Sequence, residues 1–292
     1  MIRVTRNGFL DRMSTELGRV SAELAKAEEQ AVTGRKLNRP SDAPASLRQA
    51  ERLDAASADQ EIWKANASAA SGVLDTLDNA LSTATNILVR AQELATAGAT
   101  ETLSAADRLS MNVEVLELMD AMRAVMNTDY AGRYVFGGTA WGAPPFDAAD
   151  VYVGNTVIPE SRVGTDRWVQ TGLDGSAVFQ GAVDILGTLN TLSAALVADN
   201  AVAVQATLTD LDAGHEIVVD ARVTVGTYAS TADDAYEVAG NLGVVVDQHL
   251  SALVDVDPIM AYSNLNRLKT AYTAALQVTA SQQSRTLFDF LS

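Results

Sequence analysis

The sequence lacks cysteine and is poor in aromatic residues, and both deficits narrow what the protein can be. Without cysteine there are no disulfides, no thiolate metal ligands and no thiol nucleophiles. Phe, Trp and Tyr make up only 5% of a chain whose hydrophobic content is 48%, so its apolar side chains are mainly Ala, Leu and Val. This composition favours closely packed helices over an aromatic-rich β core.

Long apolar runs are missing as well. No segment approaches the ~18 apolar residues that a membrane-spanning helix needs. Residues 1–6 contain two arginines and lack the apolar centre of a cleavable secretory signal. We therefore expect a soluble protein with no membrane insertion.

Basic residues are scarce, with 21 Lys and Arg against 37 Asp and Glu, for a net charge of −16. Nucleic-acid binding requires clustered basic side chains, so this charge argues against it. Residues 1–52 depart from the trend, because they hold 10 basic and 7 acidic residues. The mildly basic N-terminal segment could contact acidic neighbours in an assembly. A simple solvated surface for the acidic rest of the chain is an equally good interpretation.

The strongest feature that is present is a three-four spacing of apolar residues near the N-terminus. It predicts a coiled-coil seam of three heptads, and an isolated helix of this length is marginal, so the seam needs a partner. Gly34 is a C-cap candidate where this helix ends. The predicted N-terminal assembly seam consists of Leu10, Met13, Leu17, Val20, Leu24 and Ala27.

A second, long helix is predicted from Ala45 to about Ala97, where no proline intervenes and the only glycine is Gly72. Ser41 or Asp42 is a candidate cap for it, with Pro44 in the first turn. A third helix is predicted after Ser104, because residues 104–107 resemble a capping box with Asp107 in place of the usual Glu. The apolar residues at three-four spacing in this helix are Leu109, Val113, Leu116, Met119, Met122 and Met126.

The middle of the chain differs in character, since 8 of its 15 Trp, Phe and Pro residues taken together lie between Tyr130 and Phe179. Short strands are predicted at residues 134–136, 151–153 and 167–169, with a turn at Asp174-Gly175. The helical spacing of apolar residues returns at Asp184 and predicts one helix there, followed by two further helical stretches at 204–225 and 235–256. Asp257-Pro258 then predicts the start of a last helix. The predicted C-terminal assembly seam is Leu265, Leu268, Tyr272, Leu276, Leu287 and Leu291.

These patterns predict a mainly α protein in three segments. Residues 1–129 and 181–292 form long helices that pair as an elongated antiparallel coiled coil or helical bundle, and residues 130–180 form a small β-containing insert. This arrangement gives a rod without a catalytic cleft.

No catalytic constellation is present in the sequence. The two histidines, His215 and His249, occupy apolar helical steps, where packing is a better interpretation than metal binding, and no H-x-x-x-H pattern occurs. The paired carboxylates Asp233-Asp234 are in acid-rich helical surroundings typical of a solvated face. We expect no enzyme activity, no cofactor and no metal.

Segments at the front, in the middle and at the back of the chain resemble the flagellin superfamily, and within it the proteins of the hook–filament junction. Residues 32–44 (VTGRKLNRPSDAP) are similar to the turn "STGKKI…PSDDP", with Ala43 where a second Asp is common, and flagellins typically lack its Pro-Ser-Asp-x-Pro ending. Residues 132–139 (GRYVFGGT) resemble "G-x-Y-[LIV]-F-[SAG]-G-T". Residues 271–278 (AYTAALQV) and 287–291 (LFDFL) resemble "AYQAALQ" and "SLLDYL". The residues that carry the motifs are Gly34, Pro40, Ser41, Asp42, Pro44, Gly132, Tyr134, Phe136, Gly138 and Thr139.

The resemblance implies an extracellular protein of the bacterial flagellum, exported by the type III route without a cleavable signal peptide. It implies self-assembly into a ring or tube through the terminal helices, with hook-associated protein 1 on one side and flagellin on the other. An export chaperone at the C-terminal helix is a further hypothesis. The alternatives are a flagellin filament subunit and, from a different class, an acidic coiled-coil adaptor.

Overall fold

The structure is a computed structural model that describes residues 2–39 and 43–291, with the side chains of residues 2–7, 9–10 and 282–291 left out of the description. The chain forms two compact units. Unit 1 comprises residues 1–58 and 243–292, and unit 2 comprises residues 59–242. The three-segment division predicted from the sequence remains a prediction, because these units group residues by contact and not by chain order.

Helices dominate the described residues, as the composition predicts. They are α1 (Ile2–Thr33), α2 (Pro44–Gly98), α3 (Ala105–Met126), α4 (Gly175–Phe179), α5 (Ile185–Val197), α6 (Ala201–Val254) and α7 (Pro258–Leu291). Unit 1 contains α1, α7, the start of α2 and the end of α6, and unit 2 contains the rest. The mainly α fold class with helical terminal regions and a small β-containing region is therefore confirmed.

Local chemistry sets several helix ends where the sequence predicts them. Gly34 adopts φ +70° directly after α1, and its N–H donates to the Gln30 carbonyl at 2.9 Å. Ser104 caps α3 in a capping box completed by Asp107. At the start of α7, Asp257 Oδ1 accepts the N–H of Ile259 at 2.8 Å. Ser41 and Asp42, the predicted caps of α2, lie outside the described residues.

Two small antiparallel strand pairs make up the β structure of the described residues. Strand β1 (Asp129–Tyr130) pairs with β2 (Arg133–Tyr134), and β3 (Glu160–Arg162) pairs with β4 (Trp168–Gln170). The strand predicted at 151–153 is wrong, because Tyr152 forms only an isolated bridge to Phe146. The predicted turn at Asp174-Gly175 is also wrong, since Asp174 caps the short helix α4.

One continuous core fills unit 2, built from α2, α3, α5, α6 and the insert. Its largest fully buried side chains are Leu74, Leu77, Leu81, Leu88, Met122, Met126, Phe136, Phe179, Ile185, Leu189, Leu192 and Leu196. The two helical stretches predicted at 204–225 and 235–256 are a single helix, α6.

The buried face of α3 differs from the predicted one. Val115, Met119 and Met122 enter the core, whereas Leu109, Val113 and Leu116 are 49%, 61% and 47% exposed. Helix α3 packs against α5, and that contact selects one of two apolar faces. The predicted packing of the three methionines 119, 122 and 126 is confirmed, and the first half of the predicted stripe is wrong.

Candidate assembly surface

The terminal helices α1 and α7 pack against each other in unit 1. Ala27 is buried with Leu265 and Leu268, and Leu24 and Ala31 pack on the same small cluster. The chain leaves α1 beside the start of α7, because the Val256 N–H donates to the Gly34 carbonyl at 2.9 Å. Contacts therefore move backward along α1 as they move forward along α7, and the pair is antiparallel.

Polar contacts tie the same region together. The Lys36 N–H donates to the Val254 carbonyl at 2.7 Å, and Lys36 Nζ donates to the Ala252 carbonyl at 2.6 Å. Lys269 Nζ lies 3.9 Å from Glu28 Oε1 at the edge of the helix pair. These bonds anchor the residues 34–36, just before the motif residues Pro40, Ser41 and Asp42, which lie outside the described part of the chain.

The outer face of α1 is charged and exposed. Arg19 pairs with both Glu16 and Glu23 within the helix. The hydrogen bond from Arg19 lowers the pKa of Glu16 below its ordinary value. Both pairs lie within α1 and are exposed to water, where such pairs contribute little to stability, so they do not hold α1 to α7.

The predicted N-terminal seam lies on the inward side of α1 over its described length. Met13, Leu17, Val20 and Leu24 are half-buried and Ala27 is buried, 4% exposed. Leu10 lies outside the residues whose side chains are described. Half-burial along several turns means that α7 of the same copy covers these side chains only in part.

The predicted C-terminal seam changes character along α7. Leu265 and Leu268 are buried and Tyr272 is half-buried, but Leu276 is 41% exposed. Leu287 and Leu291 lie outside the described side chains. Apolar surface on α7 is thus uncovered beyond its contact with α1.

Sequence reasoning missed a second exposed apolar group near the end of α1 and the start of α7. Val32 is 87%, Ile259 80% and Met260 67% exposed. All three fall outside the three-four spacing of the seams, so periodicity gives no signal for them. Exposed apolar side chains that lie near one another are typical of protein–protein contact surfaces.

The GRYVFGGT segment builds a tight turn in unit 2. Gly132 and Gly138 both adopt positive φ, +79° and +60°. A Cβ added at Gly138 would overlap the Asn155 carbonyl oxygen and lie 2.9 Å from the Val157 carbonyl oxygen. Asn155 Oδ1 also accepts the Thr139 N–H at 3.0 Å. Close backbone approach explains why glycine stands at position 138, and Asn155 is a partner that sequence reasoning missed.

Phe136 of the same segment anchors the insert. Its ring meets Phe179 edge-on with centroids 5.0 Å apart, and Phe146 contacts Phe179 at 5.8 Å. The Tyr152 hydroxyl shares its one proton between the carbonyl oxygens of Asn155, at 2.8 Å, and Phe136, at 3.2 Å. Burial, with a smaller effect of the Asp174 charge, raises the pKa of Tyr152 to about 12.

The residues weighed as catalytic or metal-binding candidates lie apart from one another. His215 is half-buried and His249 is exposed. Asp233 accepts from Ser71 Oγ at 3.0 Å. Across the described ranges, no group of three or more His, Asp or Glu side chains is placed to hold a metal ion. Nor does any described helix have the length and apolarity to cross a bilayer.

Comparisons with known proteins agree with this arrangement. The sequence matches the bacterial flagellin N-terminal helical region over residues 4–140 and the bacterial flagellin C-terminal helical region over residues 208–291. It is 27% identical to the flagellar hook-associated protein 3 of Escherichia coli, over 91% of this chain and 92% of that protein. It is 30% identical to Flagellin A of Vibrio cholerae, over only 42% of this chain and 33% of that protein.

Among solved structures, the fold is similar to that of the flagellar junction protein FlgL from Legionella pneumophila. The TM-score is 0.60 at 14% identity, over 70% of this chain and 99% of that chain. The two flagellin regions matched in sequence cover nearly all of α1 and α7, the helices that pair in unit 1. The chain belongs to the bacterial flagellin family.

Proposed function

We propose that the chain is a structural component of the bacterial flagellum that joins the hook to the flagellin filament by self-assembly through its terminal helices. The observation that carries the proposal is the extent of the two matches. The likeness to hook-associated protein 3 runs over 91% of this chain, whereas the likeness to Flagellin A stops at 42%. A filament subunit is therefore the weaker candidate.

The terminal helices supply a physical basis for assembly. Leu276 and Val278 of α7 are 41% and 48% exposed in the single copy, and Ile259 and Met260 are more so. Packing against neighbouring copies removes this apolar surface from water. When the two contacting surfaces differ, each copy leaves one of them free, and such contacts build tubes instead of closed pairs.

The partners follow from the same role. Hook-associated protein 1 lies on one side of the junction and flagellin on the other, outside the cell. The chain reaches that place by type III export. The role is structural and requires neither catalysis nor a cofactor. An acidic coiled-coil adaptor, the alternative from another class, does not account for the flagellin regions at both ends of the chain.

A cytoplasmic export chaperone on α7 completes the proposal. The exposed apolar side chains of α7 would otherwise promote premature association before export. Removal of the last ~20 residues is expected to abolish a complex with the chaperone in pull-down from the source bacterium. An unchanged complex would exclude α7 as the site.

Deletion of the gene tests the main proposal. Cells without the protein are expected to keep their hooks and to shed unattached filament protein into the medium, and the intact gene restores filaments. A matched pair of variants sharpens the result. Leu276→Asp should fail to restore filaments, and Ala274→Asp, at an exposed position on the opposite side of α7, should restore them. Normal filaments on the deletion strain would reject the junction role.

A further inference from the structure

Unit 2 contains a surface cavity of about 320 Å³ beside the GRYVFGGT segment. This volume is within the range of small-molecule sites, which begins at about 300 Å³. Helix α2 supplies an apolar wall that includes Ala70 and Val73, and the β-containing insert supplies polar side chains. None of the lining residues belongs to the paired terminal helices of unit 1.

Arg133 and Trp141 line the cavity together. The Arg133 guanidinium lies 3.8 Å from the centre of the Trp141 ring, a cation–π contact, and both side chains are exposed. Within the described residues Arg133 makes no ion pair or hydrogen bond, whereas Arg90, Arg123 and Arg222 of the same unit all pair with carboxylates. Stacking on the ring thus holds the guanidinium in place and leaves its N–H groups for a ligand.

Three hydroxyl residues also line the cavity. Thr139 Oγ1 accepts a hydrogen bond from Asn155 Nδ2 at 2.7 Å, so its own proton is left to donate. Thr171 Oγ1 donates to the Pro159 carbonyl at 3.2 Å, so its lone pairs are left to accept. The Ser161 hydroxyl has no hydrogen-bond partner in the part of the chain that the structure describes. Donors and acceptors are therefore both available, and water that occupies them is displaced when a ligand binds.

The charges around the cavity narrow the class of ligand. Glu160 lies in the lining with Arg133, so the lining carries one charge of each sign. Residues 59–242 contain 25 acidic and 8 basic residues, a net charge of −17, and this field repels an anionic ligand. A metal ion is also a poor fit, because the described residues hold no group of three His, Asp or Glu side chains that could bind one.

An apolar ligand fits no better, since it would remove water from the polar side chains without replacing their hydrogen bonds. A neutral sugar meets these conditions. Its hydroxyls donate to Glu160 and accept from Arg133, and its C–H groups pack on the wall that Val73 and Trp141 provide. We infer that the cavity binds one neutral pyranose unit. The site does not depend on the junction role, so each of the two proposals stands or falls separately.

Saturation-transfer difference NMR of the full-length chain tests the site, with glucose, galactose, mannose and N-acetylglucosamine as probes. At least one sugar is expected to bind with a dissociation constant of about 1 mM, because few hydrogen bonds hold so small a ligand. Arg133→Ala and Trp141→Ala should each weaken this binding at least about tenfold. Absence of a signal from all four sugars would overturn the site.

Trp168→Ala is the matched control. Trp168 also has an arginine over its ring, with Arg162 5.9 Å from the ring centre, but it is not part of the cavity. Its replacement should leave sugar binding unchanged. Equal weakening by Trp168→Ala and Trp141→Ala would show that the sugar does not bind in this cavity.

Two further measurements guard the interpretation. Glucuronate should bind no more tightly than glucose, and tighter binding of glucuronate would replace the neutral ligand by an anion. Ser161→Ala removes a single hydroxyl and should also weaken sugar binding, which keeps the test valid if a larger change disturbs the fold. Circular dichroism of each variant confirms that its helices are intact before the titrations are compared.

Discussion

Arg108 and Asp199 form an ion pair between the first turn of α3 and the loop that joins α5 to α6. Arg108 is buried, 4% exposed, and its guanidinium also donates to the Gly98 and Thr100 carbonyls at 2.9 and 2.8 Å. It thus satisfies carbonyl groups at the end of α2, where the helix leaves them without partners. Asp199 adopts φ 52°, a conformation that this pairing helps to hold.

Replacement of Arg108 by Ala is expected to reduce the free energy of unfolding by about 3 kcal/mol, since the Gly98 and Thr100 carbonyls and Asp199 all lose a buried, charged donor. Arg90→Ala is the control, because Arg90 pairs with Glu114 and Glu93 at the surface, where such pairs contribute little to stability. Denaturant unfolding of both variants measures the difference. Equal losses would show that Arg108 does not anchor the loop.

Gly138→Ala is expected to destabilise unit 2 by at least about 2 kcal/mol, because positive φ and the overlap with the Asn155 carbonyl act together. Gly142→Ala provides the comparison, as a Cβ at that position meets no atom within 4 Å, and its effect should stay within about 0.5 kcal/mol. Thermal unfolding followed by tryptophan fluorescence reports on both. A neutral Gly138→Ala would refute the role assigned to the turn.

The raised pKa of Tyr152, about 12 against an ordinary 10, predicts a loss of stability in alkali. The folded state favours the neutral phenol of Tyr152. Its contribution to the free energy of unfolding is therefore fully present below pH 10 and is lost as the pH rises through 12. Unfolding free energies measured across this interval should fall less steeply in Tyr152→Phe than in the unmodified chain. Parallel slopes would contradict the burial of the hydroxyl.

Two leucines of α7 should respond differently to the same change. Leu268→Asp places a charge in the buried contact with α1 and is expected to weaken helix pairing in the monomer. Leu276→Asp alters an exposed position, so monomer helicity should be kept while assembly is lost. Circular dichroism and sedimentation of both variants decide between these outcomes. Normal assembly of Leu276→Asp would remove that residue from the seam.

Much of the fold is predictable because helix boundaries are encoded locally. Ser104 with Asp107, and Asp257 with Pro258, begin α3 and α7 where capping chemistry places them. Gly34 likewise ends α1. Each signal depends on a few neighbouring residues, so no tertiary information is required.

The errors arise where the tertiary structure chooses between local options. Helix α3 has apolar residues on two faces, and packing against α5 buries Val115 and not Val113. Tyr152 has the neighbours of a strand residue but lies in irregular backbone, bonded to the Phe136 carbonyl. The burial of Arg108 was unpredictable because its acceptors include Asp199, far along the chain.

Immunogold electron microscopy of intact flagella tests the junction role most directly, with an antibody raised against unit 2. A junction protein is expected to give label confined to a short zone between the hook and the filament. Label distributed along the length of the filament would contradict it and would identify the chain as a filament subunit.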